Sequence, residues 1–141
     1  MASDAGDFVR SMSIATSGLR AQAGRMRVIS ENIANADSTA STAGGEPYRR
    51  KVPTFSSELD RTLDAKVVTL GKVRPDQSAF RVKHDPGNPA ADAAGNVKYP
   101  NVNPLVEMSD MREAQRSYEA NLNIISATRR MIQRTLDILK A

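Results

Sequence analysis

All seven prolines of this 141-residue chain fall between Pro47 and Pro104. Proline lacks a backbone N–H and its ring clashes with the preceding turn, so the stretch that holds them cannot be one long helix. The two proline-free flanks carry no such restriction. The chain therefore divides into an N-terminal segment 1–40, a middle segment 41–104 and a C-terminal segment 104–141.

Each flank carries apolar residues at alternating spacings of three and four, the pattern of a heptad seam. In the first the row reads Ala5, Phe8, Met12, Ala15, Leu19, Gln22, Met26, Ile29, Ile33 and Ala36. In the second it reads Met108, Met111, Gln115, Tyr118, Leu122, Ile125, Arg129, Ile132, Leu136 and Leu139. These rows predict helices near 4–36 and 104–140, each roughly 50 Å long at about 1.5 Å per residue. Asn103 is placed to cap the second, and Pro104 suits a first helical position, where a missing N–H leaves nothing unpaired. The expected fold is mainly α: two long terminal heptad helices forming a coiled-coil or bundle core, with a small, irregular, β-containing middle.

A two-helix seam does not use up the apolar surface. Ile124, Met131 and Ile138 form a further row on the second helix, and Gly18, Ala21 and Gly24 on the first are small enough to admit another backbone. Large aromatic anchors are scarce, with three Phe, three Tyr and no Trp, so a core must be built from aliphatic side chains. Both ends are expected to be weakly ordered in a free monomer and firm in an assembly. A C-terminal helix that stays amphipathic to its last residue points the same way, because its final carbonyls need cover from elsewhere.

The middle segment has extended pieces. "KVVTLGKVR" (66–74) is rich in β-formers, Phe80, Val82 and His84 alternate with Arg81 and Lys83 as on a half-buried strand, and "NVKY" (96–99) can pair with the latter. "SSELDRTLDA" (56–65) reads as a helical face with Asp60 and Asp64 one turn apart. The dense basic run Tyr48-Arg49-Arg50-Lys51 fits either a solvated loop or a contact to an acidic surface.

Catalytic chemistry finds no support. His84 is the single histidine, and cysteine is absent, so His84-Asp85 lacks further nitrogen or sulfur ligands and a nucleophile. Phosphate-binding glycine loops are missing. The expected chain is not an enzyme and has no catalytic, cofactor-binding or metal-ligating residues. Arg20, Arg25 and Arg27 beside a heptad seam raise a basic coiled-coil nucleic-acid binder, but acidic residues are interleaved in every part of the chain, which dilutes the positive stripe such binding needs. The N-terminus has acids where a secretory signal has bases, and no segment approaches a membrane span.

At "SENIANADSTASTAGGEPYRRK" the sequence resembles the bacterial flagellar rod and hook axial family, whose members carry an N-x-A-N-x-x-T-like stretch at the end of the first helix followed by an aromatic-basic patch. Asn32, Asn35 and Tyr48-Arg49-Arg50 match that pattern, and residues 84–104 and 117–138 look specifically like the proximal rod members. The resemblance implies a structural subunit of the proximal rod of the flagellar basal body. It implies self-assembly with copies and with other rod proteins into a helical drive shaft that transmits torque and forms the export channel. It further implies passage through the flagellar type III export apparatus without a cleaved signal peptide, residence in the rod across the periplasm, and contact with surrounding basal-body rings. No nucleic acid and no small-molecule substrate is expected as a partner.

The residues expected at the assembly interface are Leu19, Met26, Ile29, Asn32, Ile33, Asn35, Tyr48, Arg49 and Arg50, with Tyr118, Leu122, Ile124, Ile125, Met131, Ile132, Leu136, Ile138 and Leu139 on the second helix. Asn32 and Asn35 have an alternative as helix-ending residues, since Asn tolerates the left-handed conformation. The competing reading of the whole chain is a helical-bundle adaptor that binds one partner without forming a tube.

Overall fold

The computed structural model describes residues 2–140, with side chains from Gly6 onward, so Ala5 of the first seam lies outside the described side chains. Helix α1 spans Ala2–Ala34 and helix α2 spans Pro104–Lys140, close to the seams read from sequence. Between them lie β1 (Lys51–Val52), β2 (Phe55–Asp60), β3 (Ala65–Leu70), β4 (Arg74–Pro75), β5 (Arg81–His84) and β6 (Asn96–Tyr99). They form three antiparallel pairs, β1 with β4, β2 with β3 and β5 with β6.

The start of α2 follows the local chemistry of its sequence. Asn103 Oδ1 accepts the Leu105 N–H at 3.1 Å, satisfying one of the donors that a first turn leaves open. At the end of α1 backbone N–H groups meet carbonyls of the last turn, Asn35 donating to Asn32 and Ala36 to Ile33 at 3.2 Å each, and just beyond it Arg81 donates to the Ala36 carbonyl at 2.9 Å. Neither Asn32 nor Asn35 adopts a left-handed conformation, because Asp64 is the one non-glycine residue with positive φ among those described. Asn35 instead donates its amide to the Glu31 carbonyl at 2.8 Å.

The chain separates into two compact units. One comprises Met1–Arg25, Thr54–Lys72 and Glu113–Ala141, and the other Met26–Pro53 and Val73–Arg112. In the first, β2 and β3 make a hairpin in the register Phe55↔Leu70 to Asp60↔Ala65. This corrects the helical reading of "SSELDRTLDA". Asp60 accepts the Thr62 N–H at 2.9 Å and its hydroxyl at 2.6 Å, and Asp64 takes φ 46°, so the segment turns back instead of winding on. Those short polar contacts compete with helical hydrogen bonds and favour turns.

The glycines of α1 in this unit make room within the chain. A Cβ at Gly18 would lie 2.9 Å from Asn121 Nδ2, and one at Gly24 would lie 2.6 Å from Leu70 Cδ2. Ser17 Oγ also accepts the Val68 N–H at 3.2 Å. The small residues thus admit side chains of α2 and β3.

In the second unit, β5 and β6 pair from Arg81↔Tyr99 to His84↔Asn96, the partnership expected from sequence. The half-buried character expected of β5 does not hold, since all four of its residues are exposed. β6 supplies the buried side chain of the hairpin, Val97, while Val82 stands opposite the exposed Lys98. Val97, Val102, Val28, Ile29 and Ala90 form the apolar part of this unit's core, and Asn32 and Glu107 are buried among its polar groups.

Candidate functional site: a buried polar network and an apolar helix surface

The second unit is organised around two polar side chains with no solvent exposure, Asn32 and Glu107, each 0% exposed. Burying a carboxylate is costly unless hydrogen bonds and an opposite charge replace water. Both are supplied here. Arg50 Nε donates to Glu107 Oε1 at 2.6 Å, and Asn32 Nδ2 donates to Glu107 Oε2 at 3.0 Å.

Asn32 itself is fully used. Its amide also donates to the Lys51 carbonyl at 2.8 Å, while its Oδ1 accepts the Tyr48 hydroxyl at 2.8 Å and the Lys51 N–H at 2.9 Å. Only an amide offers two donors and two acceptor positions on one short branch. The spacing between Asn32 and Tyr48-Arg49-Arg50-Lys51 therefore reads as a closure: the basic run folds back onto the last turn of α1, and Glu107 brings in the first turn of α2.

Arg50 sits among three acids. Besides Glu107, its guanidinium lies 3.4 Å from Asp76 and 3.8 Å from Asp110. Burial disfavours the charged guanidinium, but the hydrogen bond and charge of Glu107, with those of Asp76, outweigh it and hold the Arg50 pKa above its ordinary value. The Arg50 N–H donates to Asn101 Oδ1 at 2.7 Å and the Asp76 N–H donates to the Arg50 carbonyl at 2.8 Å. Arg49 stacks on Phe80, with its guanidinium 4.1 Å from the ring centroid, and donates to the Asp76 and Ser78 carbonyls. Lys51 pairs with Glu31. Hydrogen bonds from the Ser78 backbone and side chain hold the Asp76 carboxyl below the usual carboxylate range. Its contribution to stability is present above its unfolded pKa and is lost as the pH falls through the folded one.

Burial, reinforced by the Glu31 and Glu107 carboxylates, pushes the Tyr48 phenol up to about 12. It therefore remains a donor to Asn32. An unfolded tyrosine titrates at about 10, so the stability tied to this proton is intact below that and is lost as the pH climbs through about 12. Chemical denaturation followed from pH 9 to pH 12 should show the native chain losing more stability than Tyr48→Phe does; parallel profiles would contradict this.

α2 presents two kinds of surface. Its buried and half-buried stripe runs through two heptad rows, Glu107–Ala114–Asn121–Thr128 and Met111–Tyr118–Ile125–Ile132. The second row matches the expected seam. The first replaces the expected row that begins at Met108, so the inward face is rotated toward small and polar residues. Leu122, Ile124, Met131 and Leu136 are exposed, as are Ile138 at 76% and Leu139 at 61%. On α1 the expected positions are covered: Ile29 is buried, and Leu19, Met26 and Ile33 are half-buried. In the first unit a groove of about 690 Å³ opens between α1 and the β2–β3 hairpin, lined in part by Val9, Met12, Val67 and Leu70.

The structure thus separates the expected interface residues into three groups: Leu19, Met26, Ile29, Ile33, Tyr118, Ile125 and Ile132 are apolar and covered or half-covered within the chain. Asn32, Asn35, Tyr48, Arg49 and Arg50 direct their polar atoms into the chain, whereas Leu122, Ile124, Met131, Leu136, Ile138 and Leu139 are exposed. Glu107, Asp76 and Asn101 went unnoticed in the sequence. An acid in a first helical turn is explained by the helix dipole alone, so nothing local marks Glu107 as buried.

Among the described residues no cluster of His, Cys, Asp or Glu could hold a metal ion, and no helix is long and apolar enough to cross a membrane. What the arrangement offers is a long helix with uncovered aliphatic rows, held at its start by a buried polar network. The described side chains thus define a helical protein with an open apolar interaction surface.

Comparison with known proteins gives this class its name. Residues 12–40 match the family model for flagella basal body rod proteins, and residues 93–138 match that for the C-terminal region of flagellar basal body rod FlgEFG proteins. The chain is 56% identical over 128 residues to the flagellar basal-body rod protein FlgC of Agrobacterium fabrum, covering 91% of this chain and 92% of that one. It is 40% identical to FlgC of Bacillus subtilis, covering 92% and 97%, and 38% identical to FlgC of Salmonella typhimurium, covering 89% and 92%. The chain belongs to the FlgC family of flagellar basal-body rod proteins. Within it the chain is a structural subunit of the rod.

Proposed function

We propose that this chain polymerises, with copies of itself and with other rod subunits, into the proximal part of the helical drive shaft of the flagellum. The observation that carries this reading is the set of large aliphatic side chains uncovered on α2, ending in Ile138 and Leu139. Exposed aliphatic rows of this kind are what an interaction site leaves open. Neighbouring helices would cover it in coiled-coil fashion, placing segments 1–40 and 104–141 in the inner layer of the tube. Segment 41–104 would stay outside that layer or bridge neighbours. The role is mechanical, transmitting torque and lining the export channel, with no catalytic step.

The same reading places the chain in the rod across the periplasm, reached through the flagellar type III export apparatus, with the basal-body rings around it. Electron microscopy of basal bodies isolated with and without the gene for this chain tests the proposal. Rods should lack their proximal part when it is missing, with density for the chain in that region when it is present. Intact rods without it would favour an adaptor that binds a single partner.

A further inference from the structure

A two-stranded sheet has two outer edges, and each carries backbone N–H and C=O groups that its own ladder does not use. Which residues supply them follows from the alternation of the ladder. In the β2–β3 hairpin the Gly71 N–H donates to the Thr54 carbonyl at 2.6 Å, so Thr54 and Gly71 form a hydrogen-bonded pair that continues the strand register. Alternation then turns the backbone groups of Phe55, Ser57 and Leu59 outward on β2, and those of Val68, opposite Ser57, outward on β3. The β3 edge meets α1, where Ser17 Oγ accepts the Val68 N–H. Among the described residues no backbone hydrogen bond reaches the β2 edge.

The β5–β6 hairpin repeats this asymmetry. The Asp85 N–H donates to the Gly95 carbonyl at 2.9 Å, so Val82 and His84 turn their backbone groups outward on β5, and Asn96 does so on β6. Asp92 takes up Asn96, accepting its N–H on Oδ1 and donating to its carbonyl, both at 2.9 Å. The β5 edge stays open, with all four of its residues exposed.

The two open edges carry opposite charge, β2 with Glu58 and Asp60, β5 with Arg81 and Lys83. Two β2 edges would bring acids together and two β5 edges would bring bases together, and like charges directly opposite are destabilising. β2 against β5 has the reverse effect. In the antiparallel alignment of Leu59 with Val82 and Ser57 with His84 the outward backbone groups meet, and Glu58 then faces Lys83 while Asp60 faces Arg81. A shift of two residues either way keeps only one of those acid–base pairs. Leu59 and Val82, 54% and 63% exposed, cover each other. Among the described residues neither Glu58 nor Lys83 forms an ion pair within its own chain.

We propose that the β2 edge of one subunit takes the β5 edge of a second copy of this chain as an added antiparallel strand, joining two hairpins into one four-stranded sheet. The contact unites two different surfaces, so each copy keeps one edge for the next, the kind of contact that builds rings or helical arrays and not closed pairs. The inference rests on the rod reading, in which copies of this chain assemble with one another, and it names a surface by which they do so.

The absence of native cysteine allows a direct test. Cells lacking the native gene receive two differently tagged copies, one with Leu59→Cys and one with Val82→Cys, and isolated basal bodies are treated with a mild oxidant. Directly opposed residues lie about 5.5 Å apart at Cα, within reach of a disulfide, so a dimer carrying both tags should form. Adding Glu58→Lys to the first copy should lower its yield about fivefold, and adding Lys83→Glu to the second should restore it.

Basal bodies that contain both chains but give no mixed dimer, or a yield indifferent to Glu58→Lys, would overturn the proposal and leave the rod reading intact. Absence of the unsubstituted tagged chain from rods would remove the rod reading and this inference with it. Should the cysteines themselves keep the chains out of rods, swimming decides. Glu58→Lys and Lys83→Glu should each impair it, and the two combined in one gene should restore it; a combination no better than the single changes would show that the edges do not pair copy to copy.

Discussion

Replacing Arg50 by alanine will destabilise the chain by about 3–5 kcal/mol, the range found when one partner of a buried ion pair is removed. The reason lies in what stays behind. Glu107 keeps Asn32 but loses its counter-charge while shut off from solvent, and Asp76 and Asp110 then face a vacant guanidinium site. Urea denaturation followed by circular dichroism reads the loss as a shift of midpoint. The double variant Arg50→Met, Glu107→Met should recover most of it, because two apolar side chains of comparable length leave no charge stranded. A loss below about 1 kcal/mol for the single variant would place Arg50 among ordinary surface ion pairs and remove the network from any role in holding the second unit together.

The second large effect is expected on assembly and not on folding. Ile138 is 76% exposed and Met131 is exposed beside it on the same heptad row. Changing both to aspartate should alter the stability of the isolated chain by no more than about 0.5 kcal/mol, as for other exposed positions. In the rod each subunit would instead bring two charges into an aliphatic contact that contributes about 1.5–3 kcal/mol per buried side chain, and the defect recurs in every copy. Cells carrying the double variant should export the protein yet fail to swim, with rods missing from isolated basal bodies. Normal swimming would show that this row does not face a neighbour.

The two effects are separable because the residues behind them act at different levels. Asn32, Tyr48, Arg50 and Glu107 have their hydrogen-bonding capacity met inside one chain, so their substitution is felt wherever the chain folds. The exposed rows of α2 have nothing to satisfy until another polypeptide arrives. The basic run Tyr48-Arg49-Arg50-Lys51 shows how easily the levels are confused: as a string of letters it suits a charged surface, yet Arg50 serves a buried acid, Lys51 pairs with Glu31, and Arg49 lies on Phe80.

Helix positions were legible beforehand because proline exclusion and heptad spacing are local rules. They placed α1 and α2 to within a few residues, and the pairing of "NVKY" with the strand before it followed from alternation and loop length. In "SSELDRTLDA" helix and turn compete on nearly equal terms, so the spacing of Asp60 and Asp64 does not settle the outcome. The Asp60–Thr62 contact and the left-handed Asp64 decide it, and neither has a period to detect.

What the amino-acid order determined by itself is the division into two uninterrupted helices and a broken middle, together with an excess of apolar rows on α2. Which of those rows faces inward was decided only in three dimensions. Met108 and Glu107 are adjacent in the chain and either could begin an inward row. Glu107 is the one buried, with Arg50 and Asn32, remote in sequence, converging on its carboxylate, and the free energy of pairing a buried charge depends on where its partners end up in space.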